Sequence, residues 1–532
     1  MKMKNLFPII FICCLFLVTA CEEKLDIPQQ GVVAIDNFYE TDEDAEEAIT
    51  AVYLQWRSMI GSDFFLLNGL SDEIHSGGGA RGDNPFLEQL CEYSFSSANS
   101  WVNDYFRGLY TMIYRCNLVT ERIESDTDVK ARVIAEAKVA RAWAYSKLVT
   151  LWGKVPLVTT ELAPSEYQQP NAEISAVWAQ IEKDFTEAIS SGALSEKSSP
   201  DDKSIGAKIT KQAAQAFLGK AQLFQEKHSE AATTLKAVIN SENYRLIADY
   251  ENVLRAVQDF GPENIFEVNS LPDPDNPWEQ GTSWFSPAFG WNSSLMDLST
   301  GYNEGHHDLI PTGWGFCNPT KELYDAFVAM EGADGYRLNA TIKTYEQVMA
   351  ISPEAPITIR PGSKLYGHEG YFNWKLRYLG SEVIPNTWGF AGSNNYRFMR
   401  YAEVLLLASE ACLLSGDKAS ALNYINQIRE RAQLPNLANV TLDDIKNEKR
   451  LELCLEQVRF EDLVRWGDAG NVLAGRGAKI PTFAGLKDDG TYEVTYPFEN
   501  TNYGFKPGKN ELLPFPEHEM NVNKNLIQNT GY

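Results

Sequence analysis

Apolar residues recur at helical spacing along much of the chain. The clearest case is the segment from Thr41 to Trp56, where one face would carry Ala45, Ala48, Ile49, Val52, Tyr53 and Trp56. This spacing predicts an amphipathic helix, and Thr41 can cap its start together with Asp44, three residues further on. The same reasoning predicts helices at about 100–124, 130–151 and 172–190.

Two later segments have the pattern of helix pairs. They run from Thr210 to Asn240 and from Tyr401 to Ala432, and each combines small residues at the helix contact with a short turn. A unit of about 34 residues with these features is typical of tetratricopeptide repeats. Copies this far apart in the chain form a solenoid only if other helices complete the stack.

Three segments lack helical periodicity, at about 61–99, 271–400 and 468–512. The stretch from Leu271 to Gly315 is rich in Pro, Gly, Asn and aromatic residues, with many turn signals. Long irregular insertions in compact proteins are usually functional, and the aromatic content argues against disorder. We therefore predict a mainly helical body, residues 31–532, whose irregular segments carry the binding function.

The N-terminus has the features of a targeting segment. Lys2 and Lys4 precede an apolar run from Leu6 to Val18, and small residues lead to Cys21. This run is shorter than the roughly 20 residues of a membrane-spanning helix. Val18-Thr19-Ala20-Cys21 resembles a bacterial lipobox, so we expect residues 1–20 to be a lipoprotein signal peptide, Cys21 to be acylated, and 21–30 to be a tether. An ordinary signal peptide with a chance cysteine is the alternative.

Composition and charge narrow the class of ligand. The chain is 44% hydrophobic and 12% aromatic, as expected of a globular protein, and its net charge is -25. A negative field of this size repels polyanions, so nucleic acid is excluded as a partner and neutral ligands fit better.

Motifs for metal, nucleotide or covalent chemistry are missing from the sequence. No H-E-x-x-H, G-x-S-x-G or P-loop occurs, and we expect neither a metal nor a cofactor. Gly77 to Gly82 formally fits G-x-G-x-x-G, but no strand clearly precedes it and Asp83-Asn84-Pro85 follows, so we reject nucleotide binding there. The cysteines after Cys21 are odd in number and without paired spacing, which predicts buried apolar residues and no disulfide framework. They are Cys91, Cys116, Cys317, Cys412 and Cys454.

Aromatic side chains in the central insertion are the candidate binding groups. Sugar rings expose apolar C–H faces, so a sugar site needs flat aromatic platforms beside side chains that form hydrogen bonds. The candidates are Trp278, Trp284, Trp291, Tyr302, Trp314 and Asn303, with Asp72 and Arg81 from the earlier loop. The alternatives are that each ring anchors the insertion to the scaffold and that the loop residues are simply solvated. Arg450, Arg459 and Arg465 alternate with acidic residues, which indicates structural ion pairs.

Five segments together resemble the SusD and RagB family of outer-membrane lipoproteins of the starch-utilisation type. They are FYETDEDAEEAITAVY (38–53), YTMIYRCNLV (110–119), AKVARAWAYSKLVTLWGKVPLV (137–158), EKRLELCLEQVRFEDLVRWG (448–467) and LLPFPEHEMNVNKNLIQNTGY (512–532). The chain departs from the family pattern at Gln457, where Gly is usual, and at Lys524 and Thr530, where Pro is usual.

The resemblance implies four tetratricopeptide-like helix pairs that support an irregular ligand-binding half. It also implies a surface-exposed lipoprotein, anchored in the outer membrane by its lipid, that captures oligosaccharides and delivers them to a SusC-like TonB-dependent transporter. Glu22 and Glu23 look like the acidic residues that favour surface export in such lipoproteins.

Three other functions stay open on sequence alone. The same fold can capture peptides, as RagB-like members suggest. A tetratricopeptide adaptor would bind only protein. A glycosidase needs two carboxylates at a defined separation, which sequence does not show, and the chain has 72 acidic residues. We expect a binding protein and not an enzyme.

Overall fold

The computed structural model describes residues 38–270, 273, 275, 288–297, 312–351, 356–384 and 392–532. The predicted signal peptide, the acylation site Cys21 and the tether lie outside these ranges and stay predictions. No helix in the described ranges is long and apolar enough to cross a membrane.

Helices dominate the described structure, which confirms the predicted fold class. In the N-terminal half they are α1 (Asp42–Ser58), α2 (Ile60–Gly69), α3 (Pro85–Glu92), α4 (Ser100–Arg122), α5 (Asp128–Trp152), α6 (Ile174–Ser190), α7 (Lys211–Phe224) and α8 (His228–Ile239). The later helices are α9 (Lys321–Glu331), α10 (Tyr336–Thr341), α11 (Tyr345–Met349), α12 (Tyr401–Leu414), α13 (Lys418–Arg431), α14 (Leu442–Glu452), α15 (Arg459–Arg465), α16 (Ala469–Val472) and α17 (Glu517–Val522). Helix α1 begins as predicted, with a capping box between Thr41 and Asp44.

The long helices stack in sequence to form the scaffold. Helix α1 packs on α4 and α5, and contacts continue from α5 through α6 and α7 to α8. Helix α8 then packs on α12, and α12 on α13. The two predicted helix pairs, α7–α8 and α12–α13, are therefore neighbours in space although about 160 residues separate them in the chain.

Close approach of α7 and α8 depends on a glycine. A Cβ atom at Gly219 would lie 2.5 Å from Cγ of Leu235 on the facing helix. Small residues at such a contact let the backbones approach closely, as the sequence pattern indicated for this pair.

Short strands and turns form the second half of the molecule. The strands are β1 (Ile74–Gly77), β2 (Asn264–Val268), β3 (Trp291–Asn292), β4 (Met296–Asp297), β5 (Thr312–Gly313), β6 (Phe316–Pro319), β7 (Ile342–Thr344), β8 (Thr358–Ile359), β9 (Leu365–Tyr366), β10 (Tyr371–Asn373), β11 (Tyr396–Arg400), β12 (Lys479–Leu486) and β13 (Tyr492–Glu499). Strands β12 and β13 form a hairpin, and β9 pairs with the other side of β12. Strands β1 and β6 pair antiparallel, whereas β3 and β5 pair parallel.

The segments predicted to be irregular contain more regular structure than expected. Helix α2 overlaps 61–99 and helix α3 lies within it, helices α9 to α11 lie within 271–400, and the β12–β13 hairpin lies within 468–512. Every residue of α2 is buried, so its sequence has no polar face and no helical period to detect. Helices α10 and α11 have six and five residues, which is too short for a clear helical period.

Buried ion pairs join the scaffold to the strand-rich half. Arg431 of α13 contacts Glu263, just before β2, at 2.9 Å, and also pairs with Glu452 of α14. Arg337 of α10 contacts Glu448 of α14 at 2.8 Å. Buried charges that are paired on both sides fix the relative position of these elements, because a displaced partner would leave an uncompensated charge.

The five cysteines of the described chain are free and buried, which confirms their predicted role.

Candidate functional site

Trp314 lies on the surface of the strand-rich half, between β5 and β6. Its side chain is 49% exposed. Its backbone is fixed, because its carbonyl accepts a hydrogen bond from Nδ2 of Asn292 at 2.9 Å. The ring also packs edge-on against Phe316, with centroids 6.5 Å apart. The indole ring is therefore partly exposed to solvent, while the backbone that carries it is held by a hydrogen bond.

The loop between β1 and α3 lies against Phe316 and Asn292, the residues that hold this tryptophan. A Cβ atom at Gly78 would lie 2.6 Å from Cε1 of Phe316, and the φ angle of Gly78 is +97°, so only glycine fits there without strain. The Asp83 carboxylate accepts a hydrogen bond from the Gly79 amide at 2.8 Å. A Cβ atom at Gly79 would come within 4.0 Å of the Asn292 amide that holds Trp314. The loop therefore places an exposed carboxylate near Phe316 and Asn292, the two residues that contact Trp314. We call Trp314, Asn292, Gly79 and Asp83 the Trp314 face.

Arg81 is the fixed cation of the same loop. Its guanidinium forms two hydrogen bonds to the buried carboxylate of Glu92, and Nη1 donates to the Tyr366 hydroxyl at 3.1 Å. The hydrogen bonds to Glu92 are the largest contribution that raises the pKa of Arg81 above its usual range, so the charge is permanent. About a third of the side chain is exposed.

Two predicted contact residues are buried and have internal partners. Asp72 is 7% exposed, and its carboxylate accepts hydrogen bonds from Arg450 at 2.7 Å and Arg459 at 2.8 Å. Trp291 is 5% exposed and packs against Phe372 at 5.0 Å between ring centroids. Their placement gives no support for direct contact with a ligand. The partners of Asp72 come from near the C-terminus, which a reading of the local sequence does not show.

Four predicted contact residues, Trp278, Trp284, Tyr302 and Asn303, lie outside the described residues. Of the four candidates that the structure describes, Trp314 and Arg81 are exposed in part, and Asp72 and Trp291 are buried.

The aromatic residues of the hairpin were missed by the sequence reasoning. Tyr496 and Phe498 of β13 are 45% and 38% exposed. Their signal was present in the sequence: Tyr492, Val494, Tyr496 and Phe498 alternate with polar residues and proline, and Asp489-Gly490 precedes them. Alternation after an Asp-Gly pair is a standard hairpin pattern.

A second polar cluster lies beneath the hairpin. Nε2 of His75 is 3.0 Å from Oε2 of Glu369, and the Lys321 amide donates to the same oxygen at 2.8 Å. Burial acts to raise the pKa of Glu369, but the hydrogen bond from His75 and other contacts outweigh it and lower the pKa to about 2. The described ranges contain no group of three or more His, Cys, Asp or Glu side chains placed to hold a metal ion.

The strand that precedes the G-x-G-x-x-G match does exist, contrary to the expectation from sequence. Strand β1 ends at Gly77, and α3 begins at Pro85. However, β1 pairs antiparallel with β6, so the match does not lie in the parallel strand–helix–strand unit that binds dinucleotides.

A stacked-helix scaffold that carries a strand-rich half with exposed aromatic residues defines a class of helical-repeat binding proteins. Residues 263–532 match the family model described as the SusD family, and residues 36–223 match the model described as starch-binding associating with outer membrane. The chain belongs to the SusD family.

Named relatives match along nearly the whole chain. SusD-like protein P2 from Formosa agariphila is 25% identical and covers 99% of both chains. A solved laminarin binding SusD-like protein is 30% identical, with a TM-score of 0.75, and covers 92% of this chain and 99% of its own. Surface glycan-binding protein A from Bacteroides thetaiotaomicron, solved with laminarihexaose, has a TM-score of 0.70 at 22% identity, covering 92% of this chain and 99% of its own.

Proposed function

We propose that this protein is a surface glycan-binding lipoprotein that captures an oligosaccharide at the Trp314 face and delivers it to a SusC-like TonB-dependent transporter. The observation that carries the proposal is the Trp314 ring, which is half exposed on a backbone fixed by Asn292, with the polar loop that carries Asp83 packed against Asn292 and Phe316. An apolar platform next to polar side chains is the arrangement that a sugar ring requires.

The proposed ligand class is a neutral β-glucan of the laminarin type. The solved relative at 30% identity is named for laminarin binding, and neutral sugars suit a chain with a net charge of -25. The same comparisons favour a glycan over the peptide that a RagB-like protein would capture. They also support a binding role and not glycosidase activity.

The proposal is tested by calorimetry with laminarihexaose and a panel of other oligosaccharides. Trp314→Ala should weaken binding about tenfold or more, equivalent to about 1.4 kcal/mol, because the platform is lost. Tyr114→Ala is the matched control, since this tyrosine is equally exposed but lies on helix α4 of the scaffold. Failure of every glycan to bind, or an unchanged affinity for Trp314→Ala, would falsify the proposal. Peptides that copurify with the protein would favour capture of peptide.

Anchoring and delivery are proposed with the same function. Cys21 would carry the lipid that holds the body, residues 31–532, at the outer membrane through the tether 21–30. Cys21→Ser should release the protein from the membrane fraction, and the wild-type protein should copurify with a TonB-dependent transporter. Retention of the variant in the membrane would exclude the lipid anchor.

A further inference from the structure

A groove on the surface of the scaffold lies between helix α4, the segment after α5 and the C-terminal segment. Its volume is about 350 Å³, and its walls are mostly apolar. We call it the α4 groove and define it by Phe106, Tyr110, Tyr114, Val158, Leu162 and Leu526. Tyr114 is 51% exposed, and Tyr167, which also lines the groove, is 63% exposed. Exposed aromatic residues around an apolar groove are typical of an interaction surface.

Hydrogen bonds hold the walls of the α4 groove in place. The Tyr110 hydroxyl donates to the Pro156 carbonyl at 2.8 Å. Nδ2 of Asn523 donates to the Gln169 carbonyl at 2.7 Å, which joins the segment after α5 to the C-terminal segment. Because the groove is formed before anything binds, its own side chains lose little conformational entropy when a segment of chain enters it.

The described chain begins beside the α4 groove. The guanidinium carbon of Arg122 lies 5.9 Å from the centroid of the Tyr39 ring, and the same guanidinium forms an ion pair with Glu161 at 2.5 Å. Glu161 directly precedes a residue of the groove. The φ angle of Tyr39 is +92°, which is unfavourable for a residue with a side chain, so the contact with Arg122 helps to hold the chain in this turn. The segment that precedes Tyr39 therefore joins the body next to the groove.

That preceding segment contains an apolar run of suitable length. Residues 32–35 are Val, Val, Ala and Ile, the longest apolar run between Cys21 and Phe38. Residues 32–37 can span at most about 20 Å, whereas the eight residues from Phe106 to Tyr114 cover about 12 Å of helix α4. The run can therefore reach along the groove. Because both belong to one chain, the effective concentration of the run at the groove is on the order of millimolar.

We propose that residues 31–37 lie in the α4 groove, with the apolar run at 32–35 packed against Tyr114 and Leu162. Docking removes apolar surface of both the run and the groove from water. Residues 21–30 then remain as the free tether, so that at most about 34 Å of chain connects the body to Cys21, instead of about 58 Å for residues 21–37. This contact is independent of the ligand that the Trp314 face binds.

Proteolysis by thermolysin, which cuts before bulky apolar residues, tests the proposal on the full protein in membranes. Leu25 and Ile35 are each followed by aspartate, so they offer matched cleavage sites in the free tether and in the docked segment. Cleavage before Ile35 should be at least about ten times faster in Tyr114→Asp than in wild type, because a docked segment is cut only when it opens. Cleavage before Leu25 should not change, and Tyr114→Phe should behave as wild type. The mass of the released body identifies each cut.

Disulfide formation identifies the occupant of the groove. Val33→Cys/Tyr114→Cys should form an intramolecular disulfide under mild oxidation. Val33→Cys/Thr233→Cys is the control and should not, because the exposed Thr233 lies on α8, beyond α6 and α7 in the stack. The native cysteines of the described chain are buried and do not compete. If Tyr114→Cys alone forms a disulfide-linked dimer, a second copy occupies the groove and the proposal is wrong.

Two further results would overturn the proposal. One is an equal rate of cleavage before Ile35 in wild type and in Tyr114→Asp, with the unfolding midpoint showing that the variant is folded. The other is a disulfide yield for Val33→Cys/Tyr114→Cys no higher than for the control pair. Neither readout involves a glycan, so the docked segment and the proposed glycan site can fail separately. The cut sites can also be read in soluble protein, so the result does not depend on the lipid anchor.

Discussion

Asp72 and Glu73 are adjacent and both buried, yet their carboxyl groups have opposite pKa shifts. Against the effect of burial, Arg459 and Arg450 lower the pKa of Asp72 to about 2. Burial, reinforced by the charge of Asp72, raises the pKa of Glu73 to about 7. Glu73 accepts a hydrogen bond from the Leu455 amide on one oxygen, while its other oxygen is buried without a hydrogen bond. Asp72 is therefore charged throughout the physiological pH range, whereas Glu73 titrates near neutral pH.

Glu73→Gln should make the protein more stable at alkaline pH. Because folding raises the pKa of Glu73 from 4.5 to about 7, its charge costs no stability below pH 4.5, an increasing amount between pH 4.5 and 7, and a constant amount above. The full cost is about 3 kcal/mol at most. Urea unfolding of the variant should show a gain at pH 8 and little change at pH 4.5. Glu124→Gln, at an exposed position, is the control. A gain of equal size at both pH values would contradict the assignment.

Asp72→Asn should destabilise the protein by about 3 kcal/mol at pH 7, because Arg450 and Arg459 would lose their common counterion. The stabilising effect of the Asp72 charge is present above pH 4 and is lost as the pH falls toward 2, following the lowered pKa. Asp201→Asn breaks the exposed pair with Arg245 and should have a much smaller effect, because solvent screens that pair. If Asp72→Asn and Asp201→Asn lower the free energy of unfolding equally in urea titrations, the buried ion pairs stabilise the protein no more than an exposed pair does.

Trp291→Phe should lower stability without changing the affinity for glycan, because its ring packs against Phe372 inside the protein. Loss of buried aromatic volume costs about 1 to 3 kcal/mol for a partial truncation and more for alanine. Trp314→Ala should instead weaken binding, while its free energy of unfolding stays within about 1 kcal/mol of that of the wild-type protein. Thermal unfolding and calorimetry on the same samples distinguish the two. If Trp291→Phe weakens binding as much as Trp314→Ala, Trp291 contributes to the site.

Gly219→Ala should destabilise the scaffold, because the new Cβ would lie 2.5 Å from Cγ of Leu235. Overpacking of this kind costs about 1 to 3 kcal/mol, which outweighs the gain of up to about 1 kcal/mol in helix propensity. In a Leu235→Ala background, which lacks the Cγ and Cδ atoms, Gly219→Ala should cost less. Gly475→Ala has open space around it and should be neutral in the same denaturation experiment. A stabilised Gly219→Ala variant would mean that the helices separate at no cost.

Prediction from sequence succeeded where the signal was local. The start of α1 was found because Thr41 and Asp44 lie three residues apart and cap one another. The structural ion pairs of Arg450, Arg459 and Arg465 were expected, but not that Asp72 is the partner of the first two. Asp72 and Arg450 are almost 400 residues apart in the chain. A single sequence does not show which of its distant residues are close in the folded protein.

The site was harder to predict than the fold because aromatic residues serve both burial and binding. Trp291 and Trp314 come from the same insertion and have the same chemistry, but one is buried and the other exposed. The difference arises from strand pairing: β3 places Trp291 against the core, whereas Trp314 follows β5 at its outer end. The exposure of Tyr496 and Phe498 could be predicted only after the β12–β13 hairpin had been recognised in the sequence.

The contact between α8 and α12 allows the scaffold and the segment between these two helices to vary independently in sequence. Because α8 packs on α12, the two ends of the segment from 240 to 400 lie close together in the folded protein. The entropic cost of closing such a loop grows only slowly with its length, so additional residues in this segment cost little stability. Residues in that segment can change to suit another ligand while the helices that carry it keep their packing. The same contact delays completion of the scaffold, because the surface of α8 that packs on α12 stays uncovered until the chain beyond residue 400 has emerged.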